Sequence, residues 1–158
     1  MATTEQSQPQ VLRSLLISFQ GGQAVLPNST VLEVLPFAKP LRMENAPPWV
    51  VGAILWKSLT IPLVSLERLV FRTNPGAGAH SRIIVVSALG NDPKLRDFGF
   101  LGTEAPHLLD LKRADVEVFE TGEPPMPGVL CRVKVKGQEA VIPDMNAIES
   151  VLSRLVRT

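Results

Sequence analysis

Three side chains in the sequence belong to the kinds that bind metals or act as nucleophiles: His80, His107 and Cys131. A metal site needs several such ligands at close spacing, and neither histidine belongs to a recognisable motif with cysteine or carboxylate partners. Cys131 would act as a nucleophile only with a histidine beside it in space. Its place in an alternating apolar stretch favours a buried core thiol instead. We therefore predict no metal site and interpret both histidines as surface or loop residues.

Other chemistries find equally little support in the sequence. The segment Gly76-Ala77-Gly78 is too short for a phosphate-binding loop, because neither a further glycine at Rossmann spacing nor a Walker lysine follows it. Aspartate and glutamate residues are scattered, and no two of them form the buried pair that acid–base catalysis uses. The sequence thus predicts no catalytic residue and no cofactor, and it favours a protein that binds other molecules.

Two residues stand out as candidates for such binding. Glu33 interrupts an otherwise apolar stretch, so it either faces solvent in the strand alternation or is held by a cation, and periodicity favours solvent. Gly52 precedes a long apolar run, where a glycine can form a bend or can contact a partner directly. Both readings of Gly52 remain open at this level.

The longest apolar region of the chain, residues 50–70, predicts the elements around these candidates. Its apolar residues fit two adjacent buried strands with Lys57 and Ser58 as the turn between them. A continuous helix is disfavoured, because Pro62 would remove a backbone donor and clash with the preceding turn. Apolar spacing becomes helical after Pro62, which predicts a short helix whose first turn starts near Ser65.

Local patterns predict further strands and one terminal helix. Paired glycines at 21–22 predict a hairpin of residues 13–20 and 24–26, and Lys136-Gly137 predicts another of residues 129–135 and 138–142. Asp144 is a good N-cap for an amphipathic helix that runs to about residue 157. Weaker patterns predict strands at 31–34, 83–89, 98–101, 108–111 and 116–119. Short strands about ten residues apart without a βαβ rhythm favour small β-barrels.

Composition narrows the class of protein. The 158 residues are 45% hydrophobic and 20% charged, with 14 prolines and a mean hydropathy of +0.17, which suggests a globular protein with some exposed apolar surface. A net charge of +1 provides no basic surface for nucleic acid. No segment approaches the roughly 20 apolar residues of a membrane span, so we expect no direct membrane insertion. One cysteine and the lack of a signal peptide predict a cytoplasmic protein.

The predicted organisation is a single domain of two lobes. Residues 1–10 are polar, and residues 1–12 are expected to be a disordered lead-in. The segment 72–81 is rich in glycine, alanine and proline, and we place the main internal boundary there.

Three short segments in the first half of the chain resemble the CheW-like family of chemosensory adaptors. The matching residues are Val31, Glu33 and Val34, then Gly52, Leu55, Lys57 and Ser58, then Pro62, Leu63, Val64, Ser65 and Leu66. The chain departs from the family pattern at four positions, with Leu55 in place of asparagine, Lys57 of arginine, Ser58 of glycine and Ser65 of aspartate. The variant Trp-Lys-x-x-x-Ile-Pro-Leu-Val-Ser-x-Glu is more similar to adaptors of pilus-linked (twitching) systems.

The resemblance implies both a fold and a function. The fold would be mainly β, with two five-stranded SH3-like barrels and a C-terminal helix. One lobe would comprise about residues 23–81, and the other residues 82–157 together with the strand at 13–20. The function would be a non-enzymatic adaptor that couples the cytoplasmic helical hairpin of a chemoreceptor to the regulatory domain of a CheA-like histidine kinase, controlling type IV pilus motility in the pilus-linked form. Partner-binding residues would be Val31, Glu33, Gly52 and Lys57. Glu33 would lie close to Lys57, and their pair would be looser than the glutamate–arginine pair of the family, because lysine lacks the planar two-toothed geometry of arginine.

Two other classes of function remain to be compared with the adaptor. An enzyme or small-ligand-binding β-barrel would hold a pocket between the two lobes, which requires convergent polar groups around an apolar cavity. The chain offers few, since it has no tyrosine and its two histidines are isolated. A nucleic-acid-binding barrel is disfavoured by the near-zero net charge and the low aromatic content.

Overall fold

A computed structural model describes residues 11–71, 78–119 and 128–156 of the chain. Across these residues the chain forms eleven strands and two helices. In chain order they are β1 (Val11–Phe19), β2 (Gly22–Pro27), β3 (Val31–Pro36), β4 (Val50–Trp56), β5 (Leu59–Ser65), α1 (Leu66–Phe71), β6 (Arg82–Ser87), β7 (Asp97–Gly102), β8 (His107–Lys112), β9 (Val116–Phe119), β10 (Val129–Val135), β11 (Gln138–Pro143) and α2 (Met145–Leu155).

The strands form two sheets, which define two lobes. The five-stranded lobe has the strand order β3-β6-β7-β5-β4 and carries α1, and the six-stranded lobe has the order β8-β1-β2-β11-β10-β9 and carries α2. Neighbouring strands are antiparallel except for β5 with β7 and β2 with β11, which pair in parallel. The predicted mainly β fold of two SH3-like lobes with a C-terminal helix is confirmed.

The predicted boundary between the lobes is wrong. Strands β6 and β7, placed by sequence in the second lobe, pair with β3 and β5 in the five-stranded lobe. Strand β2, placed in the first lobe, pairs with β1 and β11. The segment 72–81 therefore joins two strands of the same sheet, because glycine and proline mark a turn of the chain and do not reveal which strands pair across it.

The predicted disordered segment, residues 1–12, is wrong at its last two residues. Val11 and Leu12 belong to β1, where they pair with Lys112 and Leu111 of β8. The rest of that prediction, residues 1–10, lies outside the described residues, as does residue 157 at the end of the predicted terminal helix.

Local patterns predicted the turns and caps correctly. Lys57 and Ser58 have φ angles of 47° and 65°, the positive values that a two-residue hairpin turn of type I′ requires, and they join β4 to β5. Helix α1 begins directly after Ser65. The Asp144 side chain accepts a hydrogen bond of 3.1 Å from the backbone N–H of Ala147, which caps α2.

Three apolar clusters form the core. The five-stranded lobe encloses the buried residues Ile54, Trp56, Ile61, Leu63, Ile83 and Val85. The six-stranded lobe encloses Leu16, Leu111, Val133, Val135 and Ala140. A third and larger cluster lies between the lobes and combines residues of both sheets and both helices, among them Ile17, Val64, Leu66, Ile84, Phe100, Ile148 and Leu152.

Two buried carboxylates hold the lobes together. Glu67 of α1 accepts a hydrogen bond of 2.6 Å from the backbone N–H of Gln20, in the turn after β1. Glu149 of α2 accepts hydrogen bonds of 2.8 Å from the backbone N–H groups of Leu89 and Gly90, in the connection after β6. Each lobe thus supplies a carboxylate that binds the backbone of the other, and this arrangement fixes their relative placement.

Candidate partner-binding surface

Glu33 and Trp56 connect the two outermost strands of the five-stranded sheet. Glu33 lies in β3 and Trp56 in β4, which are the opposite edges of that sheet. The indole N–H of Trp56 donates a hydrogen bond of 2.8 Å to a carboxylate oxygen of Glu33. Trp56 is buried in the enclosed cluster, and a buried indole N–H requires an acceptor. The side chains therefore bring the edges together although 23 positions separate them in sequence.

Lys57 meets the same tryptophan from the turn. Its ammonium lies 5.0 Å from the centroid of the Trp56 ring, within the range of a cation–π interaction. The predicted direct pairing of Glu33 with Lys57 is not present, since the described residues contain no ion pair between them. Both side chains contact Trp56 instead. The Trp56 indole therefore links the two side chains, and no salt bridge does so.

Gly52 has a structural role. Its φ of +146° is one that L side chains rarely adopt. A Cβ atom at this position would overlap the carbonyl oxygen of Leu41 and lie 2.9 Å from the Cβ of Pro40. The next residue, Ala53, exchanges backbone hydrogen bonds of 2.8 and 2.7 Å with Leu41. Gly52 is buried, so of its two readings the structure favours a bend that admits the neighbouring chain over a contact with a partner.

Val31 is half-buried and packs against the cluster between the lobes. The pairing of β3 with β6 shifts between Val31 and Glu33, where a bulge interrupts the register. Leu32 and Val34, on either side of Glu33, are exposed. The Val31 side chain therefore packs toward the core, while the side chains of Leu32 and Val34 face solvent.

An exposed apolar patch lies on the outer face of β4. We define it by Leu41 and Leu55, and Leu32 and Val34 of β3 are exposed as well. Leu41 pairs with Ala53, which lies two positions before Leu55 and so on the same face of β4. Leu41 and Leu55 are each 75% exposed, an unusual state for leucines in paired strands. Grouped apolar exposure of this kind is typical of a surface that binds a partner.

Neither Trp56 nor the apolar patch was predicted from the sequence to bind a partner. A signal for Trp56 existed, because a tryptophan that alternates inward with Ile54 needs an acceptor, and Glu33 is a carboxylate within an apolar strand. The patch had only a weaker signal. Leu55 stands where the family pattern has asparagine, but exposure of a leucine follows from strand direction and neighbours, which the local sequence does not state.

The residues considered for catalysis lie apart. His80 and His107 are both exposed, and the described part of the chain contains no cluster of three or more histidine, cysteine, aspartate or glutamate side chains able to hold a metal ion. Cys131 is half-buried against the interior of the six-stranded lobe, and burial raises the pKa of its thiol. A raised pKa keeps the thiol protonated at neutral pH, so it is a poor nucleophile.

Neither described helix has the length and apolar character needed to cross a membrane.

Comparison with known proteins agrees with this geometry. The sequence model of the CheW-like domain matches residues 13–152. No curated protein sequence matches the chain. Among solved structures, the scaffolding protein TtCheW from Thermoanaerobacter tengcongensis superposes with a TM-score of 0.70 at 18% sequence identity, over 87% of this chain and 86% of that one, which demonstrates a shared fold. Because the family model covers most of its length, the chain belongs to the CheW-like family.

Proposed function

We propose that this protein is a non-enzymatic adaptor that couples a chemoreceptor to a CheA-like histidine kinase in the bacterial cytoplasm. Its CheW-like domain, which spans residues 13–152, is the observation that carries the proposal. The similar TtCheW structure is that of a scaffolding protein. An exposed apolar patch on the five-stranded lobe supplies the kind of surface that such a scaffold requires.

In this proposal the apolar patch is the contact for the regulatory domain of the kinase. Leu55 and Leu41 would be buried at the centre of the interface, where apolar contacts contribute most to binding. Lys57, fixed over Trp56 beside the patch, would contribute a positive charge at the rim. An interface on the order of 1,000 Å² is typical of transient signalling contacts.

A different surface would bind the cytoplasmic helical hairpin of the receptor. The kinase would then be held where a change of receptor state alters its activity, and the adaptor would act through geometry alone. Glu67 and Glu149 support this mechanism, because they connect the lobes through buried hydrogen bonds and so keep two binding surfaces in a constant relation. Among the four predicted site residues, Glu33 and Lys57 would shape the kinase surface, while Val31 and Gly52 would support it from within.

We further propose that the system controls type IV pili, on the basis of the variant sequence that runs from Trp56 and Lys57 to Ser65 and Glu67. Deletion of the gene is expected to abolish twitching and to leave swimming unchanged. Loss of swimming with normal twitching would assign the adaptor to a flagellar system instead.

The adaptor function is tested with three purified components: this protein, the regulatory domain of the kinase and the receptor hairpin from the same organism. The hairpin, immobilised on beads, is expected to retain the kinase domain only when this protein is present. Lys57→Glu should weaken that retention without lowering the melting temperature, because an exposed charge contributes only about 0 to 1 kcal/mol to stability. The control is Lys94→Glu, an equally exposed reversal distant in sequence from the patch. Equal retention with and without the protein would refute the adaptor function.

A further inference from the structure

The six-stranded lobe contains an opening that the adaptor function does not use. Its volume is about 850 Å³, within the range of small-molecule sites. All six strands of the lobe contribute lining residues. These include Leu12, Val25, Leu111, Val116, Val133 and Ile142, one from each strand. The predicted rival function placed a pocket between the lobes. Between the lobes the structure has a shared apolar cluster and a smaller depression of about 240 Å³ against α2, whereas this opening lies within one lobe.

The floor of the opening is apolar and closed. Leu111, Val133 and Val135 are at most 4% exposed and belong to the enclosed cluster of the lobe. Ser14 is buried beside them, and its hydroxyl makes one long hydrogen bond of 3.3 Å to the carbonyl oxygen of Leu12. A ligand that entered this space would therefore meet mainly hydrocarbon.

The rim of the opening is apolar on one side and positively charged on the other. Val11 and Leu12 are more than half exposed at the start of β1. Lys112 and Arg113 are exposed at the end of β8, and no aspartate or glutamate lines the opening. The nearby carboxylate of Asp115 accepts a hydrogen bond from the backbone N–H of Lys112, and that of Asp110 binds Arg13. The charge at the rim thus favours an anionic group.

We propose that the six-stranded lobe binds a medium-chain fatty acid or a similar unbranched carboxylate. The hydrocarbon chain would lie against the accessible apolar side chains of Leu12, Val25 and Ile142, and the carboxylate would lie at the rim beside Lys112 and Arg113. The charge complementarity of this rim distinguishes such a ligand from a neutral or cationic one. The ten residues that precede Val11 are mostly polar, so they do not supply a matching apolar segment. This site is separate from the apolar patch on the other lobe.

Isothermal titration calorimetry with octanoate, decanoate and dodecanoate, below their micelle concentrations, tests the proposal. We expect one site per chain and an affinity that rises about fifteenfold for each two added methylenes, since each buried methylene contributes about 0.8 kcal/mol. Decyltrimethylammonium, which has a similar chain and the opposite charge, should bind more weakly than decanoate. Equal binding of the two compounds, or no saturable binding of any carboxylate, would overturn the proposal.

Two matched pairs of variants locate the site. Leu12→Asp at the rim should weaken decanoate binding at least about tenfold, because it places a carboxylate in the path of the anionic ligand. Leu108→Asp changes an equally exposed leucine of the same lobe outside the opening, and it should bind like the wild type. Arg113→Glu should weaken binding about threefold, the scale of an exposed charge contact, and Lys94→Glu should have no effect. Equal losses for Leu12→Asp and Leu108→Asp would contradict the assignment. Retained binding of decanoate by Leu55→Asp would show that the site is independent of the adaptor surface.

Discussion

The two lobes of this protein have similar sheets but fill their interiors differently. In the five-stranded lobe, Trp56 occupies the enclosed cluster and its indole N–H joins the edge strands through Glu33. In the six-stranded lobe, the buried members of the cluster are leucine, valine and alanine, and an opening of about 850 Å³ remains. One large aromatic side chain is thus present in the enclosed cluster of the five-stranded lobe, and among the described residues none belongs to the cluster of the six-stranded lobe.

The difference extends to the surfaces that the lobes offer. The five-stranded lobe carries the exposed patch around Leu55, and this suits a protein partner. The six-stranded lobe also has exposed apolar residues, among them Leu12 and Leu130, but it carries the opening above Val133 and Val135, which suits a small ligand. The chain thereby separates two kinds of binding within one family fold.

The largest expected effect is a loss of stability caused by a side chain at Gly52 in the five-stranded lobe. We expect Gly52→Asp to lower the free energy of unfolding by about 5 kcal/mol, because a side chain there overlaps the backbone of Leu41 and is strained at a positive φ. Thermal and urea unfolding measure the loss.

Gly137→Ala is the control for Gly52→Asp. Gly137 also has a positive φ, of +84°, but nothing lies within 4 Å of a Cβ at that position. Gly137→Ala should therefore strain the backbone without a steric overlap, and it should lower the free energy of unfolding by about 1 kcal/mol. Similar losses for the two variants would mean that close packing against Leu41 is not what makes Gly52 essential.

The next effect concerns the side chain that fills the five-stranded lobe. Trp56→Ala should cost about 4 kcal/mol, as expected for removal of a buried aromatic residue. Trp56→Phe keeps most of the volume but leaves Glu33 without its donor, and it should cost about 1 kcal/mol beyond the lost packing. If Trp56→Ala unfolded in urea at nearly the wild-type midpoint, Trp56 would not be the residue that distinguishes the lobes.

The smallest expected effect compares the packing of the two lobe interiors directly, because one methylene is added to each lobe. Val85→Ile should destabilise the five-stranded lobe by about 1 kcal/mol or more, since overpacking forces neighbours to move. Val135→Ile extends toward the opening and should be neutral or stabilise by up to about 0.8 kcal/mol. Melting temperatures of the two variants that shift in the same direction by the same amount would contradict the difference in packing.

Sequence patterns predicted those parts of the fold that depend on neighbours in the chain. Lys57-Ser58 and Gly21-Gly22 marked the correct hairpins, and Asp144 marked the start of α2, because turn and cap chemistry acts over a few residues. The parallel pairing of β2 with β11 joins Ala24 to Val141, far apart in sequence, and no local pattern specifies it. The predicted lobe boundary failed for this reason.

The candidate site was predictable to a similar extent. Glu33 and Lys57 were placed near each other only through the family resemblance, and the residue that connects them was missed. Strand periodicity alone favoured solvent for Glu33. The carboxylate is exposed and yet binds an indole, because the far edge of the sheet approaches it. Such an approach depends on how the sheet curls, which the sequence of one strand does not encode.

The most direct test of the account is the affinity of the kinase regulatory domain for Leu55→Asp, measured by calorimetry beside the wild type and Leu130→Asp. Leu55 and Leu130 are both exposed strand leucines, at 75% and 63%, one in the apolar patch and one on the six-stranded lobe. We predict that Leu55→Asp weakens binding of the kinase domain at least about thirtyfold, as expected for a central apolar contact of about 2 kcal/mol. Leu130→Asp should bind it normally. Normal binding by Leu55→Asp together with loss of binding by Leu130→Asp would contradict the account.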